Sequence, residues 1–497
     1  MTFESIIGFA ARAFIIAVGI VILWLCVLYF IDITQKKHAI RRNYPLLGRF
    51  RYLFEKLGEF LRQYFFAMDR EELPFNRAER TWVYRAAKNV DRTLAFGSTR
   101  NIYHGGAIIF VNSLIPGQDD QPSESQVIGP HCPHPYHATS FFNISGMSYG
   151  AISRPAVLSL SQGAKLAGCW LNTGEGGLSE YHLQGGADLV FQIGTAKYGV
   201  RTANGELDEK KLAQIAAYEQ VKMFEIKLSQ GAKPGKGGIL PAEKVTPSIA
   251  KARGIAVGQP SISPSKHREV DNVGQLLDLI HRIRTITQKP VGIKAVIGAT
   301  QWLDELMTEI NLRGQASAPD FITIDSADGG SGAAPQSLMD YVGLGLRESL
   351  PIVVDKLSQF GLRERVKVIT SGKLIDPANV AWALCMGADF IVSARGFMFS
   401  LGCIQALQCN KNTCPTGITT HDPSLQKGLD IADKSIRVAN YVKNLQDEVN
   451  LIAHSCGVSQ PRQLNREHIR VMQANGRSVA VSSIFRENPP KTPNQVE

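Results

Sequence analysis

The stretch "VKVITSGKLIDPANVAWALCMGADFIVSARG", Val366 to Gly396, contains one structural unit and the start of the next. "VKVITSGK" (366–373) and "FIVSARG" (390–396) are short apolar runs closed by Ser, Gly and a cation, and the helix-like "DPANVAWALCMGA" joins them. An apolar run, a polar end, a helix and another run predict parallel strands crossed over by helices. The same alternation runs back along the chain. "FFNIS" (141–145), "CWLNTGEGG" (169–177), "LVFQIG" (189–194) and "MFEIKLSQG" (223–231) come first, then "VGIKAVIG" (291–298) and "FITIDSADGG" (321–330). "SRPAVLSLSQGAKLAG" supplies another of the connecting helices. Eight such runs with polar residues collected at their ends predict a closed (β/α)₈ TIM barrel rather than an open doubly wound sheet. In such barrels the chemistry sits at the C-terminal strand ends, where these polar residues fall.

The segments outside the barrel have a different character. "FIIAVGIVILWLCVLYFI", Phe14 to Ile31, carries no charge and is apolar on every face, whereas about 20 mostly apolar residues suffice to cross a bilayer. No small-residue cleavage site follows it, so a transmembrane helix is expected rather than a removed signal peptide. Lys36, Lys37, Arg41, Arg42, Arg49 and Arg51 follow the segment and only Arg12 lies near its start. That asymmetry predicts a single-pass membrane protein with the rest of the chain in the cytoplasm. Residues from about 40 to 95 read as amphipathic helix, suited to the membrane surface or to packing on the barrel. "PGQDDQPSESQVIGPHCPHP" (116–135) reads as a loop or boundary. Past the barrel, Asp422-Pro423 starts a helix whose apolar positions run from Leu425 to Ile452, and "RENPPKTPNQVE" is expected to be a disordered tail. The expected organisation is an anchor over 1–33, a helical juxtamembrane region and linker over 34–130, the barrel over 131–421, and a C-terminal helix and tail over 422–497.

Composition is that of a globular protein, 44% hydrophobic and 20% charged. The formal charge of +10 is concentrated beside the apolar segment, which suits anionic lipid headgroups. No aromatic-interleaved basic stripe points to nucleic acid. Eight cysteines without regular spacing do not describe a secreted disulfide framework. Three of them, Cys403, Cys409 and Cys414, share the loop "GCIQALQCNKNTCPTG" directly after the eighth strand. Zinc favours four ligands with a closer Cys-x-x-Cys pair, so three thiolates before a proline leave structural thiols or an iron–sulfur cluster.

Other residue types suggest anion chemistry. Ser371-Gly372-Lys373 and Ala394-Arg395-Gly396 follow strands seven and eight, where many barrels hold a phosphate. Lys227 and Lys294 lie within strand runs, and a buried lysine needs an anionic partner: an inward acid, a flavin edge or a substrate carboxylate. "QGAKPGKGGILP" (230–241) matches neither a P-loop nor a dinucleotide fingerprint, and is read as a mobile glycine loop presenting Lys233.

"SGMSYGAIS", "NTGEGG", "IKLSQGAKPGKGGILPAEKV", "DSADGGSGAAP" and "GCIQALQCNKNTCPTGI", in that order, closely resemble the FMN-binding synthase domain of glutamate synthase over roughly Phe141 to Thr420. The resemblance implies a barrel holding FMN and a [3Fe–4S] cluster on Cys403, Cys409 and Cys414. It implies a flavin resting against Ser145, Gly146 and Met147, near Gln192, Lys227 and Lys294. The flavin phosphate would lie by Asp328, Gly329, Gly330, Ser371, Gly372, Ala394, Arg395 and Gly396. Lys233 and Arg253 match cations that hold the 2-oxoglutarate carboxylates, and Glu175 matches a glutamate at the mouth of an ammonia passage. The implied reaction is reductive amination, with single electrons arriving through the cluster and hydride passing from FMN to 2-iminoglutarate.

The sequence departs from that family at Lys236 and Ile239, where the family usually has Glu and Gln. It also lacks the family's glutaminase domain, so ammonia is expected free or from a separate glutaminase. Reducing equivalents are expected from a donor such as ferredoxin or a flavoprotein subunit. The two substitutions keep open a different 2-oxo acid or an N-substituted glutamate as substrate. A third reading, a membrane electron-transfer subunit without turnover, is opposed by intact Lys233, Arg253 and Glu175.

Overall fold

A computed structural model describes residues 3–117 and 124–485, the side chains of Glu59 and Phe60 aside. The expected tail Arg486–Glu497 and part of the expected linker lie outside the described residues. The chain divides into two compact units, residues 1–78 and 79–497. In the first, helix Phe3–Thr34 is long and apolar enough to cross a membrane and is buried nowhere along its apolar window. A short helix, Ala39–Asn43, and an amphipathic helix, Leu47–Leu61, follow it.

The second unit is built on a closed barrel of eight parallel strands paired in chain order. They are β1 (Phe142–Ile144), β2 (Leu171–Asn172), β3 (Leu189–Ile193), β4 (Val221–Lys227), β5 (Val291–Ala295), β6 (Phe321–Asp325), β7 (Lys367–Ser371) and β8 (Phe390–Ser393). Each coincides with one of the eight expected runs, although β4 begins at Val221, two residues before the run expected from 223. The connecting helices are capped by their own sequence. Asp376 accepts from the Asn379 amide with Pro377 in the first turn, so the helix Pro377–Cys385 starts where the chain leaves β7.

Alternate residues of a strand point to opposite faces, and the inward ones change character along the barrel axis. Trp170, Val190, Met223, Phe321, Ile369 and Phe390 form the apolar floor. Two residues further along β2, β3, β4 and β6 come Asn172, Gln192, Glu225 and Thr323, all buried. An apolar lower half supports a polar upper half, and the site stands on the latter.

Two elements depart from expectation. The segment expected as an irregular boundary contains strand Gln126–Ile128, which pairs antiparallel with Tyr136–Ala138 and joins Ile128 and Tyr136 to the barrel floor. The helix expected from Asp422 is only Pro423–Gln426. The long helix is Ile431–Ser455, started by Asp430 accepting from the Asp433 amide. Its buried stripe is Ser435, Val438, Tyr441, Val442, Leu445, Val449 and Ala453, while Ile436 faces solvent. Tyr441 explains the register: its ring meets Phe142 and Phe397 edge-on, and its hydroxyl donates to the Ile375 carbonyl at 2.8 Å.

Candidate active site

The turn after β2 and the long connection after β4 bring Glu175, Lys233 and Arg253 together, the last two from separate parts of that one connection. Glu175 lies in the turn after β2, and its Oε1 accepts from Lys227 Nζ at 2.9 Å. Burial opposes ionisation of Glu175, but the charges of Lys227, Lys233 and Arg253 together outweigh it and hold the carboxyl below its usual range. The glycine loop closes over this carboxylate. A Cβ on Gly238 would stand 2.4 Å from Glu175 Oε1, so no larger residue fits there with this geometry. Lys233 is buried in the same loop. Desolvation first, then the charges of Lys227 and Lys236, pull its ammonium down to about 8 despite Glu175.

Arg253 ends the helix Pro247–Arg253 and points back into the site. Its Nη1 donates to Ser261 Oγ at 2.9 Å, and its guanidinium lies 5.0 Å from the Tyr198 ring centre. Ser261 in turn donates to the Tyr198 hydroxyl at 2.7 Å, which fixes the pair. Arg253 Nη2 makes only long contacts, 3.5 Å to Ser148 Oγ and 3.4 Å to the Tyr149 carbonyl. Its Nε is buried with no hydrogen-bond partner among the described residues. A buried guanidinium with unused donors suits a carboxylate ligand.

Lys227 and Lys294 are register partners on neighbouring strands. Lys227 is paired with Glu175, and Lys294 lies 3.4 Å from Asp325. Burial lowers the Lys294 ammonium, but Asp325 and Glu225 outweigh it and raise it above its ordinary value. Both lysines therefore have inward acids, and their burial alone does not require an anionic ligand. Asp325 also accepts from the Gly231 amide at 2.9 Å, tying β6 to the start of the glycine loop.

Below them Glu225 organises the barrel interior. One of its oxygens accepts from Asn172 Nδ2 at 2.8 Å and Gln192 Nε2 at 2.7 Å, and the other from Thr323 Oγ1 at 2.6 Å. Both amides are thereby oriented, with Asn172 Oδ1 taking the Gly174 amide at 2.9 Å. Asn172, Glu225 and Thr323, with Ser145 and Lys294, line a cavity inside the barrel. Gly146 stands at its rim, where a Cβ would come within 2.9 Å of Asn172 Oδ1 and 3.0 Å of Gln192 Nε2. A planar, hydrogen-bonding ring fits such a rim: a bare backbone, oriented amides and an ammonium. Glu225 was missed in the sequence, although its spacing of two from Lys227 places both on one face of β4.

Of the residues expected at a phosphate, Asp328 accepts from Ser326 Oγ and pairs with Lys373 at 2.9 Å. Arg395 opens the helix Arg395–Ser400, and its guanidinium lies close enough to Gly330 that a Cβ there would stand 2.9 Å away. Gly330 thus lies against Arg395, Gly396 follows that arginine and Gly372 precedes Lys373, an arrangement that fits a phosphate, with Asp328 and Asp325 as opposing charges.

The three cysteines share one loop, whose backbone Lys244 ties down by donating to the Cys409 and Thr419 carbonyls at 2.8 Å each. Gly332 abuts Cys409: a Cβ on that glycine would lie 3.8 Å from the Cys409 Cβ. The loop therefore meets the Asp328–Gly332 segment. Burial drives the Cys403 thiol up to about 12. Burial also acts to raise Cys414, but hydrogen bonds from Thr416 and Thr419 outweigh it and lower that thiol. Among the described residues no three His, Cys, Asp or Glu side chains converge closely enough to hold a metal ion. The donor types suit a three-thiolate centre, and their arrangement does not close into one.

A closed β/α barrel with charged groups gathered over the C-terminal ends of its strands, buried acids set against buried cations, defines the class of protein. A family model described as the conserved region in glutamate synthase matches residues 113–459, and the chain belongs to that family. A glutamate synthase large subunit-like protein, YerD, of Bacillus subtilis (strain 168) is 40% identical, over 97% of this chain and 99% of that protein. An archaeal-type glutamate synthase [NADPH] of Thermotoga sp. (strain RQ2) is 34% identical over 66% of this chain, which spans only 61% of that relative. A solved chimera of (S)-mandelate dehydrogenase aligns over 80% of this chain and 91% of its own at 12% identity and a TM-score of 0.47, too weak a likeness to build on.

Proposed function

We propose that this chain is a glutamate-synthase-like oxidoreductase that aminates 2-oxoglutarate reductively, using FMN, free or partner-supplied ammonia and an external reductant. The observation that carries the reading is the charge at the site. Lys227 is neutralised by Glu175, which leaves the cations of Lys233 and Arg253 buried without a carboxylate of their own. Two fixed cations suit a substrate with two carboxylates, Arg253 taking one through its unused donors and Lys233 the other. Glu175, held ionised, would accept a proton from the amine that adds to the keto carbon.

Bound FMN would supply the hydride that reduces the imine carbon. Ser145, Gly146, Met147 and Gln192 would hold its ring, with Lys294 balancing negative charge at its edge. Gly330, Ser371, Gly372, Ala394, Arg395 and Gly396 would hold its phosphate. For a [3Fe–4S] cluster on Cys403, Cys409 and Cys414 the support is residue type and order, and no step is derived through it. Electrons would come from ferredoxin or a flavoprotein subunit, and ammonia from solution or a separate glutaminase. Phe3–Thr34 would anchor the protein in the membrane, with the cations that follow it keeping the second unit in the cytoplasm.

Lys236 favours a second reading. It lines the cleft beside Glu175, Gly237 and Gly238, where another anionic group on the substrate would find it. A different 2-oxo acid or an N-substituted glutamate is then the substrate. To separate these readings, the protein is purified anaerobically, assayed for flavin and iron, reduced, and offered acceptors with ammonia. Reoxidation by 2-oxoglutarate plus ammonia supports the first reading. Reoxidation only by another acceptor supports the second, and none at all refutes both in favour of a non-catalytic electron-transfer subunit.

A further inference from the structure

The first unit holds a feature that the reaction does not use. Asp32, in the last turn of the long apolar helix, is fully buried. Its Oδ1 accepts from Arg41 Nε at 2.9 Å and Nη2 at 2.7 Å, and from Arg49 Nη2 at 2.8 Å. Its Oδ2 accepts from Arg49 Nε at 2.7 Å and the Leu46 amide at 3.1 Å. Gln35 closes the turn from the other side by donating to the Asp32 and His38 carbonyls. One carboxylate therefore buckles the start of the next helix to the end of the apolar one.

The buckled helix, Leu47–Leu61, is amphipathic and its apolar side is uncovered. Leu47, Phe50, Phe54, Leu57 and Leu61 recur at spacings of three and four and form one stripe. All are exposed, Phe54 to 63%. Arg51 flanks this stripe, and Glu55 and Lys56 lie on the far side. Tyr64, Phe65 and Phe66 carry the exposed apolar surface past its end. Between residues 35 and 62 the sequence has eight lysines and arginines against two glutamates. Two copies of so cationic a segment repel each other, whereas anionic headgroups attract it.

We propose that Leu47–Phe66 is an interfacial helix that beds its apolar stripe into an anionic bilayer surface, held at headgroup depth by the Asp32–Arg41–Arg49 buckle. The proposal rests on the reading of Phe3–Thr34 as a membrane anchor and goes beyond it. A lone carboxylate at a bilayer boundary is costly, and two guanidiniums satisfy it while leaving a net positive charge for lipid phosphate. The anchor fixes where the chain leaves the membrane; the buckle stops the next helix from lifting away.

The test uses the full chain in vesicles of phosphatidylcholine with phosphatidylserine, carrying a fluorescent amino acid at position 20, 54 or 56. Lipids brominated near the acyl carbonyl or near the chain end report depth by quenching. The expected result is deep quenching at 20, shallow quenching at 54 and none at 56, with quenching at 54 reduced in Asp32→Asn. If 20 is quenched deeply while 54 behaves like 56, the anchor stands and the interfacial helix is refuted. If 54 is shielded by a second copy or by the other unit, it stays unquenched, which refutes the proposal equally. If 20 is not quenched, the anchor reading fails and the proposal with it.

Discussion

Lys233 supplies the sharpest test of the proposed chemistry, because its environment sets a pH at which substrate binding should weaken. Desolvation and the neighbouring Lys227 and Lys236 place its ammonium at about 8. The folded value is depressed, so the free site holds the proton below about 8 and loses it above. A dianion binds only the protonated form well, and binding pulls the proton back. About nine-tenths of sites are protonated at pH 7 and about one-tenth at pH 9, so the Kd for 2-oxoglutarate should weaken about tenfold between them. Isothermal titration measures this without turnover. At pH 8 binding should take up about half a proton, seen as a heat that depends on the ionisation enthalpy of the buffer. Lys233→Arg keeps the charge at all these pH values, so both the weakening and the proton uptake should vanish. Persistence of both in Lys233→Arg would falsify the assignment.

Three further outcomes follow from the same geometry. Arg253→Ala should raise the KM for the keto acid by about thirtyfold or more, since truncating one partner of a buried charge pair costs about 2–5 kcal/mol; an unchanged KM removes Arg253 from the site. If the cysteine loop holds the proposed cluster, Cys409→Ala should lose iron on reconstitution yet keep FMN, because the proposed flavin residues lie on the barrel and not on the cysteine loop; loss of both cofactors would contradict that separation. Glu225→Ala strands the donors of Asn172, Gln192 and Thr323 inside the barrel, each worth about 1–3 kcal/mol when buried and unmet. Its thermal midpoint should fall by several degrees, with Glu225→Gln closer to the parent, and equal midpoints for all three would show that the Glu225 hub is dispensable.

Much of the barrel was legible because a parallel strand covered on both faces is a continuous apolar run, and its catalytic end announces itself in polar residues. Strands that pair across long loops gave no such sign. Gln126–Ile128 lies in a Pro-rich stretch and pairs with Tyr136–Ala138, and Ile108–Phe110 finds its partner in Ile469–Met472. The C-terminal helix was expected to start at Asp422 but starts after Asp430, and its apolar pattern from Leu425 to Ile452 did not reveal that Tyr441 would be a buried anchor. At the site, residue type was readable and convergence was not. Glu175 comes from the turn after β2 and Lys233 and Arg253 from distant parts of the connection after β4, and spacing along the chain does not bring them together. Asp325 was hidden for another reason: it ends an apolar run, where an acid reads as a strand terminus, yet it pairs with Lys294.

The charges also explain why the same constellation can suit a dicarboxylate and disfavour a shorter acid. Lys294 is matched by Asp325, Lys227 by Glu175, and Lys197 by Glu269 at 2.9 Å. Each of these cations already has an anion, so none of them needs a substrate carboxylate as its partner. Lys233 and Arg253 differ: one is held in a shifted protonation equilibrium by burial, the other keeps an unpaired Nε. A monocarboxylate would satisfy one and leave the other desolvated, a cost of several kcal/mol for an uncompensated buried charge. Lys236 is the exposed exception, on the cleft rim and free of that penalty. In the proposed reaction it would add affinity for a third anionic group without demanding one, so selectivity would reside in the two buried cations and tolerance in the exposed one.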